Sequence, residues 1–314
     1  MTVAYLGPEG TFSEQAAQRV AAEGETLLAC SDVIDAVRQV ESGAADRAVL
    51  PIENALQGMV AATLDMLAFD TDLLIQGELD LAVELVLAAP AGTTLADITE
   101  VRSHPIPLAG CRRWLAAMLP EADRRGSTST ARAAQEAAER GRGHAAIVNP
   151  LAAQRYGLEV LATGVADEDT NATRFVIVAD GLVAPSGWDK TSLVVYIEAN
   201  RPGALLDLLE VFAERDLQLT KIESRPTKAE LGEYCFFLDV EGHLADEILA
   251  DAIAAVKRTQ REVKLLGSFP RAGEPSPEVM DRIVSDNAAM REAEAWLAGW
   301  RARIPQVRVP HTQH

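Results

Sequence analysis

Short apolar runs alternate with Ala-rich amphipathic stretches over the first 180 residues. Residues 3–7 (VAYLG) read as a strand that ends in a Gly-Pro-Glu-Gly turn. Thr11, Phe12, Ser13 and Glu14 then give a capping-box pattern, a hydroxyl at the cap and a carboxylate three positions on, which predicts a helix to about Ala22. Residues 25–30 read as a strand and 32–41 as a helix with Val33, Val37 and Val40 on one face. RAVLPIEN (47–54) runs from strand to loop, and a helix follows over 60–68. DLAVELVLAA (80–89) is a strand long enough to reach across a lobe boundary. VRSHP (101–105) leads into a helix ending near Leu119, with Pro105 suited to its first turn. A hydroxyl-capped helix (127–139) and a strand (144–149) complete the series. Such alternation predicts an α/β fold with a largely parallel sheet.

The rhythm changes after residues 180–190 (DGLVAPSGWDK), whose glycines, proline and serine mark a linker. Beyond it come a strand (191–199), a helix (204–215), two strands (219–226 and 233–242), a helix (245–258) and a strand (263–269). That is the ferredoxin-like βαββαβ order. The remainder, 271–314, opens on a Pro/Gly stretch and reads as one helix over 277–303. Ile283, Met290, Leu297 and Ile304 fall seven apart, with Trp296 and Trp300 alongside. The stripe has the period of a docking face, on the body or on a partner subunit, rather than of a cofactor site.

Composition narrows the function. A chain of 314 residues suggests two domains. Its 47 acids against 29 bases give a net charge of −18, with no basic stripe to displace counterions from phosphates. Nucleic acid and anionic membrane are thereby excluded as partners. Cys30, Cys111 and Cys235 are far apart and form no CxxC or Cys/His cluster, so they read as reduced thiols. No basic n-region opens the chain and no run approaches a membrane span, so a soluble, cytoplasmic protein is expected. No metal signature or Walker loop appears. GRGHAA (141–146) fits G-x-G-x-x-A but lies between a helix and a strand, the wrong way round for a dinucleotide fingerprint.

What remains is a set of hydroxyl and amide groups at strand–helix junctions: Thr11, Ser13, Asn54, Ser103, residues 127–130, and Thr173 beside Arg174. Each alone reads as a helix cap. In α/β sheets these junctions converge beyond the carboxyl ends of the strands, where helix N-termini bind carboxylates without a lysine. Arg174 adds a bidentate cation. His104 is the one histidine near this set, and reads as a polar turn residue.

These residues carry a family resemblance. AYLGPEGTFSEQAA (4–17), PIENALQGMV (51–60), VRSHP (101–105) and NATRF (171–175) resemble the prephenate dehydratase domain. NRPGAL (200–205) and IESRP (222–226) resemble the phenylalanine-binding segments of an ACT regulatory domain. The resemblance implies a two-lobed catalytic domain like that of type II periplasmic binding proteins over 1–183, with lobe one formed by 1–80 plus 165–182 and lobe two by 81–164. A linker (184–190), an ACT domain (191–270) and a helical tail (271–314) follow. It implies loss of CO2 and water from prephenate to give phenylpyruvate, with no metal or organic cofactor. Thr173 would hydrogen-bond the departing hydroxyl and Arg174 would anchor the pyruvyl carboxylate. Phe175 would supply an apolar wall, with Asn54, Ser103 and Thr11 binding substrate. The acids at 167–169 would be a solvated loop orienting the arginine. Asn200, Gly203, Ala204, Leu205, Glu223, Ser224 and Arg225 would bind L-phenylalanine between two ACT domains, in a homodimer or homotetramer. Ala55 stands where the family commonly has Ser, and Gly110 where it often has Gln.

Two other readings fit these residues: an arogenate dehydratase, whose substrate bears an amino group in place of the keto group, and a non-catalytic amino-acid sensor. A sensor would need the cation of Arg174 and not the neighbouring threonine.

Overall fold

The computed structural model describes residues 1–303 except 169, 199–200, 229, 231 and 274–276, and for 277–287 the backbone alone. The described chain divides into two compact units, Met1–Leu182 and the residues from Val183 onward.

The first unit begins with β1 (Thr2–Leu6), α1 (Phe12–Val20), β2 (Thr26–Cys30), α2 (Val33–Glu41) and β3 (Arg47–Asn54). The short β4 (Gly58–Met59) and α3 (Ala61–Asp65) follow, and a π-helical turn over Met66–Asp70 leads to β5 (Leu74–Ala82). After the lobe crossing come β6 (Val86–Pro90), β7 (Glu100–Ser103), α4 (Pro105–Gly110), α5 (Arg112–Met118) and β8 (Asp123–Gly126). Next are α6 (Thr130–Arg140), β9 (His144–Val148), α7 (Pro150–Arg155) and β10 (Leu158–Ala162), and the chain returns to the first lobe as β11 (Ala172–Ala179).

The first lobe's sheet has the order β2-β1-β3-β11-β5, with β4 added beside β3. β1, β2 and β3 are parallel, whereas β11 runs antiparallel to both β3 and β5. The second lobe's sheet, β10-β6-β9-β7-β8, is likewise mixed, because β6 opposes both β10 and β9. The expected largely parallel sheet is therefore two mixed sheets. In the first lobe the returning strand β11 inserts antiparallel between β3 and β5; in the second the entering strand β6 is the one that opposes its neighbours.

The expected strand over 80–89 is two strands, β5 ending at Ala82 and β6 starting at Val86, with the crossing between them. Leu85 and Val165, near the two ends of the expected second lobe, pack with Leu87 and Val101 in that lobe's core. The expected helix to Leu119 breaks at Cys111 into α4 and α5. β8 and β10 went unpredicted: β8 is exposed throughout, and β10 is only partly covered, so neither shows a sustained apolar alternation.

Thr11 caps α1, its hydroxyl accepting from the Glu14 N–H at 3.3 Å. The reciprocal half of the capping box is absent. The Glu14 carboxylate accepts instead from the Gly10 N–H and pairs with Arg155 of the second lobe. Beside it Asn149 donates to the Gly10 carbonyl at 3.1 Å, so this corner ties the two lobes together.

The second unit contains β12 (Asp189–Tyr196), α8 (Ala204–Ala213), β13 (Leu219–Pro226), β14 (Tyr234–Glu241), α9 (Glu247–Thr259), β15 (Glu262–Pro270) and α10 (Pro277–Arg301). Its antiparallel sheet, β13-β14-β12-β15, is the ferredoxin-like arrangement, with Leu193, Val195, Leu238 and Val240 packed on Leu208, Phe212, Leu249 and Val256 of the helices. β12 starts at Asp189, inside the expected linker. Of the α10 stripe, the Ile283 side chain and Ile304 lie outside the described residues; Trp296, Leu297 and Trp300 are exposed, the two indoles edge-to-face at 6.3 Å.

Candidate active site

Between the two lobes lies a cavity of about 660 Å³, a size ordinary for a small-molecule site. Lobe one contributes Thr11, Ser13, Asn54, Gln57, Asn171 and Thr173; lobe two contributes His104, Arg112, Arg113 and residues 128–130.

The chemistry-bearing group is built on two central strands. β3 and β11 pair so that Asn54 stands opposite Thr173. The two hydrogens of the Asn54 amide nitrogen are shared among three acceptors, Asn171 Oδ1 at 2.9 Å, Thr173 Oγ1 at 3.0 Å and the Ala172 carbonyl at 3.3 Å. The amide oxygen accepts from the N–H groups of Leu56 and Gln57 at 3.1 and 3.2 Å. Both ends of the amide are thus committed, which fixes its orientation. Thr173 receives a bond at its oxygen, so its own hydrogen is left to be donated into the cavity.

Positive charge comes from both lobes, the arginines from the second. Arg113 donates to the Asp167 carbonyl at 2.5 Å and to the Glu168 carboxylate at 2.8 Å. Arg112 lines the cavity with no ion pair among the described residues. The start of α1, and that of α6 behind Ser129, also face the cavity, and first-turn amides such as those of Ser13 and Thr130 have no partner within their own helices. An anion therefore meets one uncommitted guanidinium and two positive helix ends, inside a protein of net charge −18.

Three expected site residues lie elsewhere. Phe175 is buried against Val3, Tyr5, Ala16, Val49 and Leu81 in the first lobe's core. Ser103 is wholly buried, its hydroxyl donating to the Ile147 carbonyl at 2.6 Å, so it ties β7 to β9. Arg174 points to the face of β11 away from Thr173, as strand alternation requires, and pairs with Asp80 at 2.9 Å, Glu53 at 3.5 Å and Glu78 at 3.7 Å. The Asp80 bonds and these neighbouring acids hold its pKa above the ordinary arginine value. Thr11, Asn54 and Thr173 do meet at the cavity.

The acids before the strand also differ from expectation. Asp167 accepts from the N–H groups of Arg113 and Trp114 at 2.9 and 3.1 Å and so caps α5, while Glu168 pairs with Arg113; neither is paired with Arg174. Asp169 lies outside the described residues. Next to Gly110, burial and the nearby Asp167 charge push the Cys111 thiol up to about 12, so it stays protonated and is no nucleophile. His104 caps α4, its Nδ1 accepting from the Ile106 N–H at 3.4 Å.

Arg112 and Arg113 were missed because one continuous helix over 105–119 gives them no special place. Gly110 was the available signal: with nothing to favour helix there, the chain breaks and presents a new helix start to the cavity. GRGHAA lies as expected between α6 and β9, with Gly141 ending the helix at φ 81°.

In the second unit Gly203 precedes α8 in a left-handed conformation, φ 85°, with Ala204 and Leu205 in the first turn. Glu223, Ser224 and Arg225 lie on β13, the edge strand, opposite Phe237, Phe236 and Cys235. Since β14 separates β13 from β12, the two segments occupy different places on one sheet. Asn200 lies outside the described residues. Among the described residues no His/Cys/Asp/Glu group is arranged to hold a metal, and no helix is long and apolar enough to cross a membrane.

Comparison with known proteins agrees with this organisation. The prephenate dehydratase profile matches residues 3–181 and the ACT domain profile residues 191–258. The prephenate dehydratase of Mycolicibacterium vanbaalenii is 42% identical over 96% of this chain and 99% of its own. The crystal structure of prephenate dehydratase from Arthrobacter aurescens in complex with L-Phe superposes with a TM-score of 0.85 at 38% identity, over 96% of this chain and all of that one. GqqA, described as a novel type of quorum quenching acylase, superposes at 0.79 with 32% identity over 88% of this chain and 99% of its own. On the family profile and the near full-length identity, the chain belongs to the prephenate dehydratase family and carries an ACT domain.

Proposed function

We propose that the inter-lobe cavity converts prephenate into phenylpyruvate, CO2 and water, with Thr173 as the group that assists departure of the ring hydroxyl. The observation that carries this reading is the Asn54–Thr173 bond at 3.0 Å, which occupies the threonine oxygen and leaves its hydrogen for the substrate. The ring carboxylate's C–C bond breaks to release CO2, and its electron pair moves into the ring. The C–O bond to the hydroxyl breaks at the far carbon, and the leaving oxygen takes one proton to become water. Aromatisation drives the step, so the protein binds, orients and protonates. The threonine hydroxyl is too weak an acid to ionise; it donates a hydrogen bond and relays a proton from solvent. General-acid help of this kind is worth roughly 10²–10⁴ in rate.

The substrate's two carboxylates are held by Arg112 and by the helix starts at Ser13 and Thr130, in place of Arg174, which is paired with acids on the opposite face of β11. The shared fold alone does not fix the activity, since a chain as similar as GqqA is described as an acylase. The Asn54–Thr173 pair is what favours dehydration.

The ACT unit binds L-phenylalanine between two copies of the chain, which unites the Gly203 turn of one with the β13 edge of the other. A homodimer is the smallest assembly that meets this requirement. Binding regulates the cavity by favouring one of two lobe arrangements. The test is to incubate purified protein with prephenate and, separately, arogenate, each with and without L-phenylalanine. Phenylpyruvate from prephenate, altered by L-phenylalanine, is expected. Phenylalanine from arogenate alone would shift the reading to arogenate dehydratase, and no product from either would favour the sensor.

A further inference from the structure

Arg174 sits at the middle of a row that crosses three strands. In the register of the sheet it stands directly opposite Glu53 on β3 and opposite Asp80 on β5. Its guanidinium donates to both Asp80 oxygens, Nε at 2.9 Å and Nη2 at 3.2 Å, and approaches Glu53 at 3.5 Å from the other side. Glu78, two residues from Asp80 and so on the same face of β5, lies at 3.7 Å. One cation thus faces three carboxylates, and a substrate carboxylate would have to displace charges already in place.

The next residue back is Thr173, opposite Asn54 in the same register. β11 stays in register with β5 from Ala172 to Ile177, but its pairing with β3 shifts between Arg174 and Phe175, so on the β3 side the Thr173–Asn54 pair sits beyond a bulge and is cut off from the regular ladder. Without the guanidinium, Glu53 and Asp80 would be like charges flanking β11, with Glu78 added on the same face. Repulsion among them would spread β3 from β5 at the point where Asn54 must reach Thr173.

We propose that Arg174 is a positioning residue, a charge clamp across β3, β11 and β5 that holds Thr173 against Asn54, rather than the anchor for a substrate carboxylate. The proposal rests on the dehydratase reading of the cavity and adds a role on the opposite face of the sheet. The clamp acts on the geometry of the reacting group, so its loss lowers kcat and leaves substrate binding to the other wall.

The test is steady-state kinetics with prephenate on wild type, Arg174→Met, Arg174→Lys and the double variant Asp80→Asn/Arg174→Met. Arg174→Met is expected to lower kcat by about a hundredfold, the size of a misplaced reacting group, with KM within about threefold of wild type. Arg174→Lys keeps the charge but not the bidentate fork, and should fall between the two. The double variant removes the acid that pairs most closely with Arg174 together with the cation, and should recover about tenfold of the loss in kcat. A tenfold or greater rise in KM at nearly unchanged kcat overturns the clamp in favour of a substrate anchor. A double variant no better than Arg174→Met also overturns it. Should Arg174→Met fail to fold, the double variant decides: folded with wild-type KM supports the clamp, and unfolded or with raised KM overturns it. Failure of the dehydratase reading is separable, because wild type itself would then make no phenylpyruvate.

Discussion

The two lobes furnish the cavity by opposite means. Lobe one places Asn54 and Thr173 on paired central strands, where every polar atom of the asparagine amide is bonded and the threonine is fixed by it. Lobe two presents the start of α6 and an exposed guanidinium, Arg112, that has no ion pair among the described residues. Geometry is set where the backbone is doubly paired; attraction is supplied where donors remain open. The same protein can thus be rigid about the reacting atom and permissive about the anions it draws in, against its own negative field.

The sharpest way to break that division is to remove the hydroxyl. Thr173→Ala should lower kcat by about 10²–10⁴, leave KM within a few-fold and leave the fold intact, since the side chain makes no core contact. Thr173→Ser should keep most of the activity. Turnover of the alanine variant at the wild-type rate would remove Thr173 from the chemistry. Asn54→Ala comes next. It frees the threonine to rotate and unsatisfies the Leu56 and Gln57 amides, and should cost about 10–100-fold in kcat, equivalent to one or two lost hydrogen bonds. A KM effect without a kcat effect would move Asn54 from positioning to binding.

On the opposite wall the expected signature is reversed. Arg112→Ala should raise the KM for prephenate by about tenfold, the ~1.4 kcal/mol of one charge-assisted contact, with kcat nearly kept. An unchanged KM would assign the carboxylates wholly to the helix starts.

How much of this was legible in the sequence follows the same division. PIEN and TRF located the strands, and the T-F-S-E start located α1, because local hydrogen-bonding chemistry dictates strand ends and caps. The ferredoxin-like order could be read because each element is short and alternates cleanly. What could not be read is which way a side chain faces once the strand is placed. Arg174 and Phe175 adjoin Thr173 in sequence, yet one faces an acidic back surface and the other the core. Period-2 alternation would have separated Arg174 from Thr173, but not told which of them met the cavity. Ser103 misled because a hydroxyl at a strand end is as well used tying β7 to β9 as binding a ligand. Arg112 was hidden by a helix break that Gly110 only hints at. Glu14 keeps the capping-box spacing yet serves the second lobe's Arg155, a partner far along the chain that no local pattern can reveal.

Arg113 gives the smallest expected effect and the finest test of the contrast, because it adjoins Arg112 and differs from it only in being occupied. Its guanidinium meets the Asp167 carbonyl and Glu168 with 65% of both the Arg113 and Glu168 side chains exposed, so the pair is screened by water and worth about 0–1 kcal/mol. The helix cap on α5 uses the Arg113 backbone N–H and the Asp167 carboxylate, which a side-chain truncation leaves in place. Arg113→Ala should therefore change KM by less than about threefold and hardly change stability, while Arg112→Ala shows its tenfold effect in the same assay. Equal effects from the two would mean that exposure, and not commitment to an internal partner, decides which arginine of lobe two serves the substrate.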